Sequence, residues 1–276
     1  MGLLDKIVSG GQTGADRAAL DFAVKFNIPH GGWITKGRRT ESGPLPDFYK
    51  LKEMDTRDYP ARTRQNILDS DGTVIIARGP LTGGSSLTYE VARKTGKWVC
   101  RINLLEQDIF EAALILHAFI LDQGIRVLNV AGPRASHDPN IYYDVKVILS
   151  AVLYLDFLET EEESWQAEQM IDQGFYFPTS FNSVNQAIEV LEQSLTLRGK
   201  ILIARSQTHQ MSSIYFTLLD YLQLSLKLDE KNSGLFNFLS KGRDLKDYTP
   251  EDAVMELLKK LKTRLSKKFQ LRVVPS

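Results

Sequence analysis

Short apolar runs alternate with amphipathic segments through residues 5–155, and this alternation limits the fold more than any other feature. The run Thr73–Ala77 is dense in β-branched residues, which is typical of a central strand in a parallel sheet. Similar short runs lie at Ile7–Val8, Trp98–Ile102 and Val127–Ala131. Segments with apolar residues at helical spacing separate them. This order predicts an α/β fold, a parallel sheet with helices on both faces and right-handed crossovers.

The first predicted strand ends in a glycine-rich loop. Its members are Gly10, Gly11, Gln12, Thr13 and Gly14. Glycine allows a tight turn and leaves room for a ligand beside the backbone. We expect Thr13 to cap the next helix, whose free N–H groups and positive dipole end would bind an anion. We expect Asp16 either to favour that dipole or to contact a ligand hydroxyl. The spacing is neither a Walker A loop nor G-x-G-x-x-G, so a turn that needs glycine only for its geometry is the alternative.

Two further loops also follow predicted strands. The second contains Gly83, Gly84, Ser85, Ser86 and Thr88, with a helix expected over Leu87–Thr95, and the third contains Arg134 and Ser136. Because the carboxyl ends of parallel strands share one edge of the sheet, the three loops predict one ligand site there. Backbone amides, with Arg39 and Arg134 as bidentate partners, would bind a phosphate or another oxyanion. Arg38 and Arg39 lie in the aperiodic stretch 36–53, so solvated surface charge is the alternative for them. A bulky residue at Gly14 is expected to abolish binding and leave the fold largely intact.

Several motifs in this half are similar to those of one known family. They are residues 10–16, residues 37–43 with Tyr49, residues 69–73, residues 82–84 and residues 129–134. In this order they resemble the family named putative molybdenum carrier. That family is a branch of a Rossmann-like group that also includes molybdenum cofactor carriers and lysine-decarboxylase-like phosphoribohydrolases. The resemblance implies a Rossmann-like domain at residues 1–157 that binds a phosphate-bearing small molecule as carrier or sensor. Molybdenum cofactor and a nucleotide are the candidate ligands.

The phosphoribohydrolase branch resembles the chain at one motif only. Its pattern, G-G-x-G-T-x-x-E, aligns with residues 83–90, where the two leading glycines and Glu90 match. Ser86 and Leu87 replace the glycine and threonine that shape the phosphate turn. The alternative function is therefore a phosphoribohydrolase-like enzyme acting on a nucleotide-derived substrate, with Glu90 as its candidate catalytic residue. A glutamate that faces solvent near a helix N-terminus is the simpler interpretation of Glu90.

Composition narrows the classes of partner. The chain has 34 basic and 34 acidic residues, so no global field attracts nucleic acid or an anionic membrane. One cysteine, Cys100, excludes an internal disulfide and fits a reducing compartment. The N-terminus lacks a basic and apolar leader, and no apolar run is of membrane-spanning length, so a cytoplasmic protein is expected. The four histidines lack the spacing of a metal site, so no protein-bound metal is expected.

The sequence changes character after residue 155. Acidic residues are crowded at Glu161, Glu162 and Glu163, which predicts a solvated linker before a mostly helical domain at residues 164–276. Start signals at Ser183 and at Thr249–Pro250 predict helices, and Met211–Leu228 has the apolar face of another. A strand is expected at Ile201–Ala204. The domain carries no recognisable active-site motif, so a role in interaction or homo-oligomer formation is expected.

Overall fold

The computed structural model describes residues 2–159, 167–207, 210–228, 234–243 and 248–268. The chain divides into two compact units, Met1–Glu159 and Thr160–Ser276. Glu161, Glu162 and Glu163, where the sequence predicts a linker, lie outside the described residues.

A five-stranded parallel sheet forms the centre of the first unit. The strands of this unit are β1 (Lys6–Val8), β2 (His30–Gly31), β3 (Trp33–Ile34), β4 (Arg39–Thr40), β5 (Gly43–Pro44), β6 (Lys52–Glu53), β7 (Gly72–Ala77), β8 (Trp98–Asn103) and β9 (Val127–Ala131). The order in the main sheet is β2-β1-β9-β7-β8. In the register of the central strand, Leu128 lies opposite Ile7 and Asn129 lies opposite Thr73. The last strand in sequence therefore lies between the first strand and β7.

Helices cover both faces of this sheet. They are α1 (Ala15–Lys25), α2 (Tyr59–Leu68), α3 (Gly83–Lys94), α4 (Ile109–Asp122) and α5 (Ile141–Glu159). Helix α5 packs against α1 and α4, whereas α2 packs against α3. Every residue of β7 is buried, as expected for a parallel strand with helices on both sides. The Rossmann-like α/β fold predicted from the sequence is confirmed.

Residues 30–53 contain the short strands β2 to β6, of which β2 alone belongs to the main sheet. Gly32, with a φ of +121°, separates β2 from β3, and β3 pairs with β6 outside the main sheet. Strands β4 and β5 form a short antiparallel hairpin. Arg38 donates to the carbonyls of Leu45, Pro46 and Tyr49, so its guanidinium holds this segment together rather than closing over an anion.

The described part of the second unit is helical. Its helices are α6 (Ala167–Met170), α7 (Val184–Ser194), α8 (Leu197–Arg205), α9 (Met211–Ser225), α10 (Gly234–Ser240) and α11 (Pro250–Lys268). Ser183 and Thr249 cap α7 and α11 as predicted, because their hydroxyls accept from Gln186 N and Asp252 N. The predicted strand at Ile201–Ala204 is wrong, since these residues belong to α8. Thr196 caps that helix by accepting from Gly199 N at 3.1 Å.

Candidate functional site

A cavity of about 740 Å³ lies at the carboxyl ends of β1, β9 and β7. Ala77 and Ala131, the last residues of β7 and β9, lie in its wall. The remaining wall comes from Gln12 and Asp16, from the start of α2, from residues 78–88 except Gly79 and Ser86, and from residues 132–134 and 137–139. The strand order reverses at this edge, where open α/β sheets bind ligands. The volume falls within the range of about 300–1,000 Å³ typical of small-molecule sites.

The N-terminus of α3 forms one side of this cavity. The helix begins at Gly83 after an extended Thr82, so the second predicted loop is the first turn of the helix rather than a loop before Leu87. The N–H groups of Ser85 and Ser86 donate to Thr82 O, but no described residue accepts from the N–H groups of Gly83 and Gly84. A Cβ at either glycine would meet no atom within 4 Å. This helix end is therefore open to the cavity, with its positive dipole end and free donors exposed.

The N-terminus of α1, where the sequence predicts an anion site, is covered by the third loop. Gly14 rather than Thr13 is the N-cap, and no side chain caps this helix. Ala15 N donates to Pro133 O at 3.2 Å, and a Cβ on Gly14 would lie 2.4 Å from the same oxygen. The prediction that Thr13 caps this helix is wrong, because its hydroxyl accepts from Ala135 N of the third loop and donates to Glu41. The close approach at Gly14 brings the first and third loops together, and Pro133 O occupies the first N–H of α1.

Two other glycines of the first loop make room for side chains. A Cβ on Gly11 would lie 2.8 Å from Leu51 Cδ2, within the cluster of buried apolar residues under residues 34–51. A Cβ on Gly10 would lie 1.8 Å from Arg62 Nη1. Neither Gly10 nor Gly11 is in the cavity wall. Both positions require glycine because another part of the chain occupies the space beside the backbone.

Asp16 and Arg62 form a buried pair in the wall. Arg62 Nη1 lies 3.7 Å from Asp16 Oδ2, which also accepts from Gln12 N at 3.2 Å. Burial raises the pKa of the Asp16 carboxyl, although Arg62 and the Gln12 amide act in the opposite direction. The pair is too long for a direct hydrogen bond, so both groups keep hydrogen-bonding capacity.

Three arginines line the cavity, and they differ in their partners. Arg78 donates to Asp138 and Asp144, and Arg62 is paired with Asp16. Arg134 forms no ion pair with any carboxylate in the described ranges, and its guanidinium lies 5.3 Å from the centre of the Tyr59 ring. Of the three, Arg134 is the one without an ion pair to a described carboxylate, and its charge acts at longer range to favour the ionised forms of Asp16 and Glu41.

The hydroxyls of Thr13 and Ser136 bind Glu41 rather than facing the cavity where an anion was expected. Both hydroxyls donate to the carboxylate of Glu41, on the turn between β4 and β5. Burial opposes ionisation of Glu41, but hydrogen bonds from Ser136 and Thr13 outweigh it and hold its pKa below the ordinary value. These hydrogen bonds attach the β4–β5 hairpin to the first and third loops. Thr13, Glu41 and Ser136 lie outside the cavity wall.

Comparison with known proteins agrees with this architecture. The family model described as the circularly permutated YpsA SLOG family matches residues 7–153, which is more than half of the chain. The chain belongs to this SLOG family. It is also similar to a crystal structure from Syntrophus aciditrophicus SB that is named putative molybdenum carrier protein. The two chains are 50% identical, and the match covers 55% of this chain and 96% of that chain with a TM-score of 0.54. A comparison with curated proteins found no match.

The first unit, Met1–Glu159, contains the family match and is called the SLOG unit below. The predicted site residues fall into two groups by their position relative to the cavity. Gln12, Asp16, Gly83, Gly84, Ser85, Thr88 and Arg134 line the cavity, whereas Gly10, Gly11, Thr13, Gly14, Arg39, Ser86, Ser136 and Glu90 do not. Arg39 is exposed on the β4–β5 hairpin. Glu90 is also exposed, and Ser86 Oγ lies 3.4 Å from its Oε1. Role assignments for all of these residues stay predictions.

Several residues in the wall were not predicted from the sequence. Tyr59 and Arg62 come from α2, and no glycine loop or strand end marks that helix. Arg78 directly follows β7 and could have been found from that position. Within the described residues, no group of three or more His, Cys, Asp or Glu side chains is placed to hold a metal ion. No helix in the described ranges has the length and apolar character to cross a membrane.

Proposed function

We propose that this chain binds and carries a phosphate-bearing small molecule, with the phosphate at the N-terminus of α3. One observation supports this proposal above the others. Gly83 and Gly84, whose N–H groups have no acceptor among the described residues, line the same cavity as Arg134, which forms no ion pair with a described carboxylate. Backbone donors at a helix N-terminus and a guanidinium are the groups that proteins use for phosphate.

The charge of the wall is consistent with an anion. Its three arginines, Arg62, Arg78 and Arg134, face two acidic residues, Asp16 and Asp138, which gives a formal charge of 3 − 2 = +1 with histidine neutral. The helix dipole adds a partial positive charge of roughly 0.5 at the α3 end. Because the whole chain is neutral, this positive charge is local to the cavity.

Molybdenum cofactor and a nucleotide are the two cargoes we propose. The first comes from the name of the relative in Syntrophus aciditrophicus SB, and both are phosphate-bearing molecules with a planar ring system. A cavity of about 740 Å³ is large enough for either ligand. The single cysteine of the chain supports a reducing, cytoplasmic location for such a carrier.

A pair of variants at Gly84 tests the phosphate site. A Cβ at Gly84 would meet no atom within 4 Å, so Gly84→Ala adds one methyl group that contacts no neighbouring atom. Gly84→Asp places a negative charge where the phosphate would lie, and an acid in the first turn is compatible with the helix. We expect native mass spectrometry to show a small anion bound to the wild-type protein and to Gly84→Ala, and none bound to Gly84→Asp. Isothermal titration calorimetry with GMP and AMP should show the same order.

Two results would contradict this proposal. Equal ligand occupancy in Gly84→Asp and Gly84→Ala would exclude the α3 N-terminus as the phosphate site. Release of adenine from AMP, measured by chromatography and lost in Glu90→Gln, would instead favour the phosphoribohydrolase-like enzyme.

A further inference from the structure

A second group of polar side chains lines the same cavity. We name Gln12, Asp16 and Arg62 the polar recess. The recess depends on the absence of a side chain at Gly10. A Cβ at that position would lie 1.8 Å from Arg62 Nη1 and 2.8 Å from Asp16 Oδ2. The missing side chain thus lets a guanidinium and a carboxylate meet over bare backbone.

The recess contains hydrogen-bond donors without acceptors. Gln12 is only 5% exposed, and its Oε1 accepts from Thr13 N and Glu41 N, which fixes the orientation of the amide. Its Nε2 has no partner, and neither has Arg62 Nε, although the Arg62 side chain is only 14% exposed. Leaving a buried donor without an acceptor is unfavourable, so two such donors in the side chains of one cavity wall favour a ligand group that accepts from both.

Charge decides what kind of acceptor fits. Asp16 lies 3.7 Å from Arg62 and offsets its charge, so a second phosphate in the recess would face a carboxylate. A neutral acceptor avoids this repulsion. Two donor side chains favour a carbonyl oxygen, which has two lone pairs. The carboxylate beside them accepts hydrogen bonds, so it favours an N–H next to that carbonyl.

We propose that the polar recess binds the lactam edge of a heterocyclic ring, an adjacent C=O and N–H, in the ligand whose phosphate lies at α3. This inference rests on the proposed function, because it concerns the other end of the same ligand. Guanine and pterin rings share the lactam edge. Adenine lacks it, since its corresponding ring nitrogen has one lone pair and no hydrogen.

Titration calorimetry with four phosphorylated probes tests the assignment. The probes are GMP, IMP, AMP and neopterin triphosphate. We expect GMP and IMP to bind roughly tenfold tighter than AMP, which corresponds to one hydrogen bond in a desolvated site. Whichever of neopterin triphosphate and GMP binds more tightly identifies pterin or purine as the source of the edge.

Asp16→Asn removes the negative acceptor and keeps the shape of the side chain. We expect the ratio of GMP to AMP affinity to fall toward one in this variant. Asp122→Asn, a matched change on the exposed end of α4, should leave the ratio unchanged. Thermal denaturation checks that both variants fold, and if Asp16→Asn does not, the affinity ratio of the wild-type protein still decides the question.

The outcomes separate this inference from the proposed function. Equal affinities for AMP and GMP in the wild-type protein would overturn the lactam assignment and leave the phosphate site intact. Failure of all four probes to bind, together with identical native mass spectra for Gly84→Asp and Gly84→Ala, would overturn the proposed function itself.

Discussion

Gly14 occupies the point where the first and third loops touch. Its φ is +72°, and a Cβ would lie 2.4 Å from Pro133 O and 2.8 Å from Ala135 N. Both neighbours are backbone atoms of another loop, so they do not yield as the end of a flexible side chain would. These contacts predict that a bulky residue at Gly14 destabilises the fold, which the sequence alone does not lead one to expect.

The first prediction concerns this residue. Gly14→Ala is expected to lower the free energy of unfolding by about 1–3 kcal/mol, because alanine disfavours a positive φ and its methyl group overlaps the third loop. Urea denaturation at neutral pH measures the change.

Gly84→Ala is the matched control for that change. It adds the same methyl group where nothing lies within 4 Å and the backbone is helical. We expect this control to be neutral or to stabilise the protein by up to about 1 kcal/mol. If the free energy of unfolding falls no more in Gly14→Ala than in the control, the close approach of the two loops does not contribute to stability.

Sequence position predicts individual residues only where it also determines their surroundings. Gly83, Gly84 and Arg134 follow strands of one parallel sheet, and their place in the cavity wall follows from that topology. Arg62 lies near the start of α2 and reaches the wall only because Gly10, distant in sequence, has no side chain. No local pattern encodes such a contact.

At the scale of elements, the β4–β5 hairpin is attached to the site loops through one carboxylate. Glu41 accepts from Ser136 Oγ at 2.6 Å, from Ser136 N at 3.2 Å and from the Thr13 hydroxyl. Gln12 Oε1 also accepts from Glu41 N at 2.8 Å. The hairpin and the polar recess therefore share Gln12, and a ligand that binds Gln12 Nε2 would bind next to this attachment.

The second prediction tests the attachment. Glu41→Gln should increase hydrogen–deuterium exchange at residues 36–44 on the order of tenfold, because hydrogen bonds to an ionised acceptor are stronger than those to a neutral amide. The pKa of Glu41 is lowered in the folded protein, so its contribution is present above the ordinary value of 4.5 and is lost as the pH falls through the lower folded value. The difference between wild-type and variant exchange should narrow over that acidic range.

Arg39→Ala serves as the control in the same hairpin. Arg39 is exposed, so we expect exchange at residues 36–44 to stay at the wild-type rate. A fall in ligand affinity in Arg39→Ala would revive the prediction that this arginine contacts the anion. Wild-type exchange in Glu41→Gln would show that the hairpin is held by its buried apolar cluster instead.

The contrast between the starts of α1 and α3 shows where sequence reasoning stops. Both helices follow a strand and a glycine-containing segment, so local pattern assigns both the same anion-binding capacity. Pro133 O of the third loop accepts from the first N–H of α1, whereas no described residue accepts from Gly83 N or Gly84 N at the start of α3. The difference lies in loop packing across the sheet edge, which spacing along the chain does not determine. A similar ambiguity occurs in the second unit. The apolar residues 201–204 fit either a strand or a helix, and the Thr196 cap begins the helix that contains them.

At the scale of the whole molecule, the SLOG unit carries every feature on which the proposed function depends. The family model ends at residue 153, and the relative from Syntrophus aciditrophicus SB is matched over 96% of its length by 55% of this chain. The first compact unit ends at Glu159, and every wall residue that the structure describes belongs to it. The role of the second unit in interaction or oligomer formation stays a prediction.

The third prediction follows from that division. A fragment of residues 1–159 should unfold in one cooperative transition, because a unit of this size buries its own apolar core. It should bind GMP within about threefold of the full-length affinity, a difference below 1 kcal/mol. Urea denaturation followed by tryptophan fluorescence and titration calorimetry measure the two properties, with the full-length protein as the reference.

The Gly84→Asp change in the same fragment provides the control for binding. If GMP binding in the fragment is real, Gly84→Asp should abolish it there as in the full-length protein, since Gly84 and Arg134 both belong to the first unit. A folded fragment with no affinity for GMP, beside a full-length protein that binds it, would mean that residues after 159 complete the site. The second unit would then be part of the binding machinery, and its sequence, which carries no recognisable motif, would become the place to search for the determinants of ligand choice.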